Sequence, residues 1–272
     1  MYKPWLKKPP IGYGINWSHP SAYGLRGVFL LNEGGGKPIE ILSGNRGTLN
    51  GSAAWNKIGI SAVTAGDYVD FGTPPNLPII EPITILAITN LTRSGSYSIP
   101  CQSIPATSGG WSFRWEQTDT TNRVGFTKLG VVDTQTTNLV SPTGVSAIAA
   151  AVSTTQIVFA SNGIIETVAT VTSIANVGAV SFHLGRFNGS SSFNGTVYSV
   201  FVWNRLLSAP ELTLLTIAPF NAYCLIKPII AYGYLINSIA GTTPLTQTMT
   251  DDMNSEAEAL GLVYGYNIQA TN

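Results

Sequence analysis

The chain has 272 residues, 14 Lys and Arg against 14 Asp and Glu, a net charge of zero and only 10% charged residues, well below the roughly 25% of an average soluble domain. A neutral chain with no basic run long enough to follow a phosphate backbone is not built for nucleic acid, and no apolar run reaches the ~18 residues of a membrane span. The charge is also unevenly placed: Lys3, Lys7 and Lys8 stand near the start, whereas the only charged side chains after Lys227 are Asp251, Asp252, Glu256 and Glu258.

Residues 1–18 combine Pro4, Pro9 and Pro10 with Trp5, Tyr13 and Trp17, a mixture that favours an extended arm with aromatic anchors over a helix or strand. The first residues carry charge but no apolar segment, so they do not read as an export signal, and synthesis in a cytoplasm is expected. Gly27–Asn32 reads as a strand running into Glu33-Gly34-Gly35-Gly36, and 42–51 as a Gly/Asn-punctuated loop between short strands. Strands are expected over 65–72 and 82–91, and again at 109–116, where alternation puts Trp111, Phe113 and Trp115 on one face. The segments 145–151, 156–160 and 164–167 form a meander, with Asn162-Gly163 as a turn whose two central residues need positive φ. Residues 183–212 read as a strand, a Gly/Asn/Ser loop, a long apolar strand and a helix start. There Ser208-Ala-Pro-Glu211 is a capping box: the serine hydroxyl accepts from the N3 amide and the glutamate returns to the cap amide. The helix is expected to reach Ile217, with Pro219 past its end. Short strands at regular spacing, with no helical pattern alternating between them, argue for an antiparallel sandwich over a βαβ fold.

The segment 183–212 resembles the closing motif of laminin G-like domains of the concanavalin A-like superfamily, in which Gly-x-Ile-Asp-Glu runs into Tyr-Asn-Arg-Ala-Leu-Ser-x-x-Glu-Ile. Gly195, Asn204, Arg205, Leu207, Ser208 and Glu211 match, while Tyr198 and Ser199 occupy the two acidic positions. The loop at 42–51 is similar to the family's Asp-x-Ser-Gly-Asn segment with Leu42 at the acidic position, and 65–72 to its Gly-x-Asp-Asp-Tyr-Val strand. Residues 221–228 resemble the short tail of bacteriophage-encoded members. The resemblance implies an all-β, two-sheet antiparallel jelly-roll sandwich (19–228) with an extended N-terminal arm (1–18) and a C-terminal extension (229–272). It further implies a non-enzymatic virion protein, first of all a capsid decoration or cement protein. Such a protein would bind the major capsid protein and neighbouring copies of itself through its jelly roll and arms, with Trp5, Trp17 and Tyr232 as anchors. The second reading is a head- or tail-fibre adhesion protein that recognises host glycans.

Glycanases of this superfamily set carboxylates at alternate positions of one strand, as Glu-x-Asp-x-x-Glu, so that acid and nucleophile face one sugar; no such triplet occurs here. His19 and His183 have no His or Cys at metal-ligand spacing and are expected to be satisfied locally. No Gly-x-Ser-x-Gly nucleophile motif is present, and a disulfide between Cys101 and Cys224 is left open. Calcium needs several oxygen ligands, for which Glu33, Asp67 and Asp70 are the candidate set; the competing expectation is that these carboxylates accept loop amides. Sugar binding needs aromatic faces beside amides and hydroxyls, which points to Trp111 and Trp115 with Asn188 and Ser190. Against that, the i, i+2, i+4 spacing of Trp111, Phe113 and Trp115 is also the spacing of a core face.

Overall fold

The computed structural model describes residues 8, 13–62, 66–77, 80–91, 96–103, 109–118, 121–140, 144–170, 173–175, 180–187, 191–220 and 226–228. Trp5, Tyr232, Asn188, Ser190 and Cys224, the side chain of Cys101 and all of 229–272 lie outside these residues. In chain order the strands are β1 (Tyr13–Ile15), β2 (Leu25–Phe29), β3 (Thr48–Asn50), β4 (Ala54–Asn56), β5 (Gly59–Ala62), β6 (Tyr68–Asp70) and β7 (Ile83–Leu91). They continue with β8 (Ser96–Ser103), β9 (Gly110–Thr118), β10 (Thr121–Lys128), β11 (Val132–Val140), β12 (Gly144–Val152), β13 (Gln156–Ser161) and β14 (Ile164–Ala169). Last come β15 (Phe182–Leu184), β16 (Arg186–Phe187), β17 (Ser191–Ser192), β18 (Gly195–Trp203) and β19 (Ile226–Pro228), with one helix, α1 (Ala209–Ile217), among the described residues.

Two large antiparallel sheets result, one ordered β11-β10-β9-β8-β15-β6-β3 and the other β14-β13-β12-β7-β18-β5-β4, with β2 also paired to β18, while β1 with β19 and β16 with β17 form separate two-stranded pairs. The chain crosses repeatedly from one layer to the other, for instance between β6 and β7, β7 and β8, β11 and β12 and β14 and β15, so the expected two-sheet jelly-roll sandwich is what forms. No helix among the described residues is long and apolar enough to cross a membrane.

The two sheets differ in what their outer faces meet. Ile83, Ile85, Ala87, Ile148, Ala150 and Val202 pack inward against Trp111, Phe113, Phe126 and Phe182 of the opposite sheet. The alternate residues of the same strands, Leu86, Ile88, Ala147, Ala149, Phe201 and Trp203, form a second apolar cluster with Val28 and with Leu212 and Leu215 of α1. Strands covered on both faces need no polar alternation, which is why β7, β12 and β18 read as near-continuous apolar runs. The entry to β18 is correspondingly tight: a Cβ at Gly195 would lie 2.0 Å from the Asn90 carbonyl oxygen, so the glycine lets the strand lie against β7.

The β13–β14 turn has Asn162 at φ +47° and Gly163 at φ +90°, the expected geometry of a two-residue hairpin. Gly163 serves the tertiary structure too, because its amide donates to Thr216 Oγ1 at 3.0 Å and a Cβ there would sit 2.6 Å from Ile217 Cγ1. The turn is thereby seated on α1.

A charge pair lies inside the sandwich. The final residue of β10, Lys128, is fully buried, and its Nζ stands 2.7 Å from Glu81 Oε1 while donating to the Ser153 carbonyl at 2.9 Å. Both Glu81 oxygens accept the Ile174 amide at 3.1 Å. Removing one partner of a buried pair strands the other charge, which costs about 3–5 kcal/mol, whereas replacing both by apolar groups is often close to neutral. Lys128→Met should therefore lose stability of that order in urea unfolding, and adding Glu81→Leu should restore part of it.

Candidate functional site

The matched residues of the closing motif act as a clamp. Arg205 pairs with Glu211 through both nitrogens, Nη2 to Oε1 at 2.6 Å and Nη1 to Oε2 at 3.1 Å, and its Nε donates to the Tyr23 carbonyl at 2.7 Å. Trp203 Nε1 donates to the Ser21 carbonyl at 2.6 Å, and the Asn204 amide to the Gly24 carbonyl at 2.9 Å. Glu211 Oε2 also accepts the Ser208 amide at 2.8 Å and the Ser208 hydroxyl at 2.9 Å, which fixes the first turn of α1. Burial pushes the Glu211 carboxyl up, but the bonds from Arg205 and Ser208 outweigh it and hold its pKa at about 2. Gly24 has φ +77°, and a Cβ there would come within 3.0 Å of Arg205 Cγ; the position takes glycine for both reasons. The clamp draws residues 17–24 back over the end of β18.

Between that segment and β18 lies an open groove of about 680 Å³, bordered by Trp17, His19, Tyr23, Arg26, Asn204 and Arg205 among others. Trp17 is 64% exposed and Tyr23 79%. Arg26 is the outward residue in β2, whose other positions are buried. The Asn204 side-chain amide, in the orientation that satisfies both its ends, donates to the Gly24 carbonyl at 2.9 Å and accepts from Arg26 Nε at 3.0 Å and Nη2 at 3.1 Å. His19 Nδ1 accepts the Ser21 amide at 3.2 Å, so the neutral ring carries its proton on Nε2; burial lowers its pKa, against the opposing charge of Glu211. Two exposed aromatic faces beside a fixed amide and a fixed guanidinium can stack on an amphipathic ring and bond to its hydroxyls.

The described residues among those expected from sequence to bind a ligand lie elsewhere. Trp111 and Trp115 do not offer their faces to solvent: both are buried between the sheets, Trp111 stacked on Phe126 at 5.9 Å and Trp115 Nε1 bonded to Thr89 Oγ1 at 3.0 Å. The alternation that placed them on one face placed them on the inner one. Glu33, Asp67 and Asp70 are not brought together as a calcium set, and no group of three or more His, Cys, Asp or Glu side chains suited to a metal ion occurs among the described residues. Each carboxylate accepts a loop amide instead: Glu33 that of Ile39 at 2.7 Å, Asp67 that of Ser52 at 2.6 Å and Asp70 that of Gly72 at 2.7 Å.

Asp70 also faces His183, with Oδ1 3.5 Å from Nε2, on the outer side of the seven-stranded sheet. There Tyr68 meets the His183 ring edge-on at 5.5 Å and carries the Arg186 guanidinium 4.3 Å from its own ring centre. Burial lowers the His183 pKa, Asp70 opposes that and Arg186 adds to it.

The acidic position at Leu42 is compensated two residues earlier. Glu40 is fully buried, and its carboxylate accepts the amides of Val28, Leu42 and Ser43 at 2.8, 3.0 and 2.7 Å. Tyr198 and Ser199, at the other two acidic positions, are buried, and Ser199 Oγ donates to the Leu30 carbonyl at 3.0 Å. Of the expected anchors only Trp17 is described, and it stands at the groove mouth. Tyr23, Arg26 and Asn204 do not stand out in the sequence as groove residues, because residues 17–26 and 204–205 are brought together by the clamp and by the pairing of β2 with β18.

The architecture is that of the lectin-like jelly rolls. The laminin G family model described as the Concanavalin A-like lectin/glucanases superfamily matches residues 63–213, and the chain belongs to that superfamily. Among solved structures, domain 4 of AbnA, an extracellular GH43 arabinanase from Geobacillus stearothermophilus in complex with arabinotriose, is similar with a TM-score of 0.56 and 15% identity, over 71% of this chain and 98% of that one. A Trypanosoma rangeli sialidase in complex with sialic acid is similar with a TM-score of 0.55 and 13% identity, over 74% of this chain. The match spans only 34% of that sialidase chain. No curated protein matches the sequence.

The clamp has a pH signature. The Glu211 pKa falls from 4.5 to about 2 on folding, so its stabilising bonds are complete above about 4.5 and are lost as pH drops from there toward 2. Thermal unfolding followed across that interval should show stability declining with falling pH, and Glu211→Gln should flatten the decline while lowering Tm at neutral pH.

Proposed function

We propose that this protein is a non-enzymatic carbohydrate-binding protein that holds a glycan in the groove between Trp17, Tyr23, Arg26 and Asn204. The observation that carries the reading is the pair of exposed aromatic faces at the mouth, 64% and 79% accessible, set beside polar groups already fixed by hydrogen bonds to one another. Rings of that kind supply contact area at low entropic cost, and prearranged donors lose little freedom on binding. The occurrence of the same fold in a complex with arabinotriose supports the choice of a saccharide as occupant.

A binding role without turnover suits the groove's chemistry. Glycoside hydrolysis calls for two carboxyl groups about 5–9.5 Å apart across the scissile bond. None of the described residues that line the groove is acidic, and Glu211 beside it is held by Arg205 in a two-pronged pair.

Of the two virion roles expected from the sequence, the fibre or adhesion role is the one in which an open sugar groove has a use. The decoration role turns on arms that include Trp5 and Tyr232. Copy number in purified particles separates them: quantitative mass spectrometry showing a handful of chains per particle favours adhesion, and hundreds favour decoration.

Two substitutions test the groove itself. Trp17→Ala and Tyr23→Ala should each weaken retention on a glycan array by roughly tenfold, the worth of a lost aromatic stack, and leave Tm unchanged. Trp111→Ala should do the reverse, losing about 3–5 kcal/mol of stability with affinity per folded molecule intact. Glycan binding that survives loss of both Trp17 and Tyr23 would place the site elsewhere.

A further inference from the structure

The charge of the groove narrows its ligand. Two arginines border it, and their situations differ. Arg205 is neutralised by the two-pronged pair with Glu211. Arg26 meets no carboxylate within ion-pair distance among the described residues; its partner is the neutral oxygen of Asn204, engaged through Nε and Nη2. A guanidinium has five N–H donors in a planar fork, so the bonds to Asn204 through Nε and Nη2 orient the plane, and Nη1 of this exposed side chain has no hydrogen bond among the described residues. Asn204 is in turn fixed on the Gly24 carbonyl, which makes the guanidinium a supported group.

With no acidic residue among the described lining, the groove carries one uncompensated positive charge next to its aromatic faces. Planar, two-pronged recognition is what distinguishes arginine at carboxylate sites from a simple point charge. The other groups at the mouth are matched to sugar hydroxyls and ring faces, and none of them calls for a charged ligand. Arg26 does.

We infer that the groove selects glycans bearing a carboxylate, uronic or sialic acid units, with Arg26 as the residue that reads the acid. The inference rests on the carbohydrate reading above and adds the sugar class to it. A hydrogen bond to a charged group is worth enough to set apart acid and neutral forms of one sugar by about tenfold or more, and part of that preference screens away with salt.

The test is calorimetric titration of the full chain with trigalacturonate and 3′-sialyllactose, each as the free acid and as its methyl ester, with lactose and arabinotriose as neutral sugars. The free acid should bind at least about tenfold more tightly than its ester. Arg26→Gln should abolish that preference, so that acid and ester bind with equal affinity; Arg26→Lys, which keeps the charge without the fork, should retain only part of it. Unchanged Tm in the lysine variant guards against a folding defect from the lost Asn204 contact. Equal affinity for acid and ester, or a preference that persists in Arg26→Gln, overturns the inference and leaves the carbohydrate reading standing provided that binding still depends on Trp17. If no sugar of the set binds in either form, both are overturned.

Discussion

The Arg205–Glu211 pair is the contact on which the candidate site depends. One guanidinium closes the helix start through Glu211 and Ser208, holds the carbonyl of Tyr23 and ends β18. None of these bonds is strong alone, since a partly exposed ion pair contributes about 0–1 kcal/mol. Their geometry is what counts. Because the same side chain satisfies groups from two separate stretches of chain, 20–23 and 206–211, residues 17–24 acquire a defined path beside the sheet, and a wall exists where an unclamped loop would leave a flat edge. The motif that marks the superfamily in this sequence is thus scaffolding for the groove, and Tyr23 and Arg26 owe their positions to it.

Much of the fold was legible because its signals are local. The Asn162-Gly163 turn, the capping box at Ser208 and the alternation in Trp111, Phe113 and Trp115 each follow from a few neighbouring residues, and each is found where expected. Period 2 states which residues share a face but carries no information on whether that face looks inward, so the same pattern served equally for a sugar platform and for core. The acidic residue missing at Leu42 is a different case. A buried carboxylate need only reach the amides it serves, and Glu40 reaches those of Val28 and Ser43 from two positions earlier. Comparison position by position sees a loss where the physical role has moved. The groove itself could not be read, for it joins segments about 180 residues apart through bonds between side chains and carbonyls, which leave no periodic trace.

The asymmetry of the two sheets explains why the candidate groove lies at this edge. At its centre the eight-stranded sheet is apolar on both faces, with α1 covering part of the outer one, so the strands there have no surface left for a ligand. Polar side chains border the covered region at Arg26, Asn204 and Arg205. The seven-stranded sheet keeps a polar outer face around Tyr68, Asp70, His183 and Arg186, and these groups are already engaged with one another. A groove with open valences therefore occurs at the rim, where the covered face ends.

The disposition of the indoles gives the molecule an optical property. Trp111, Trp115 and Trp203 are buried and Trp55 is half-buried with its Nε1 bonded to the Gly36 carbonyl, whereas Trp17 stands in water at the groove mouth. Among the described residues, then, the red edge of the fluorescence emission and the fraction reached by iodide or acrylamide belong chiefly to one indole. Occupancy of the groove would shield that indole from the quencher and shift its emission to the blue, so the unlabelled protein carries its own reporter of whatever enters.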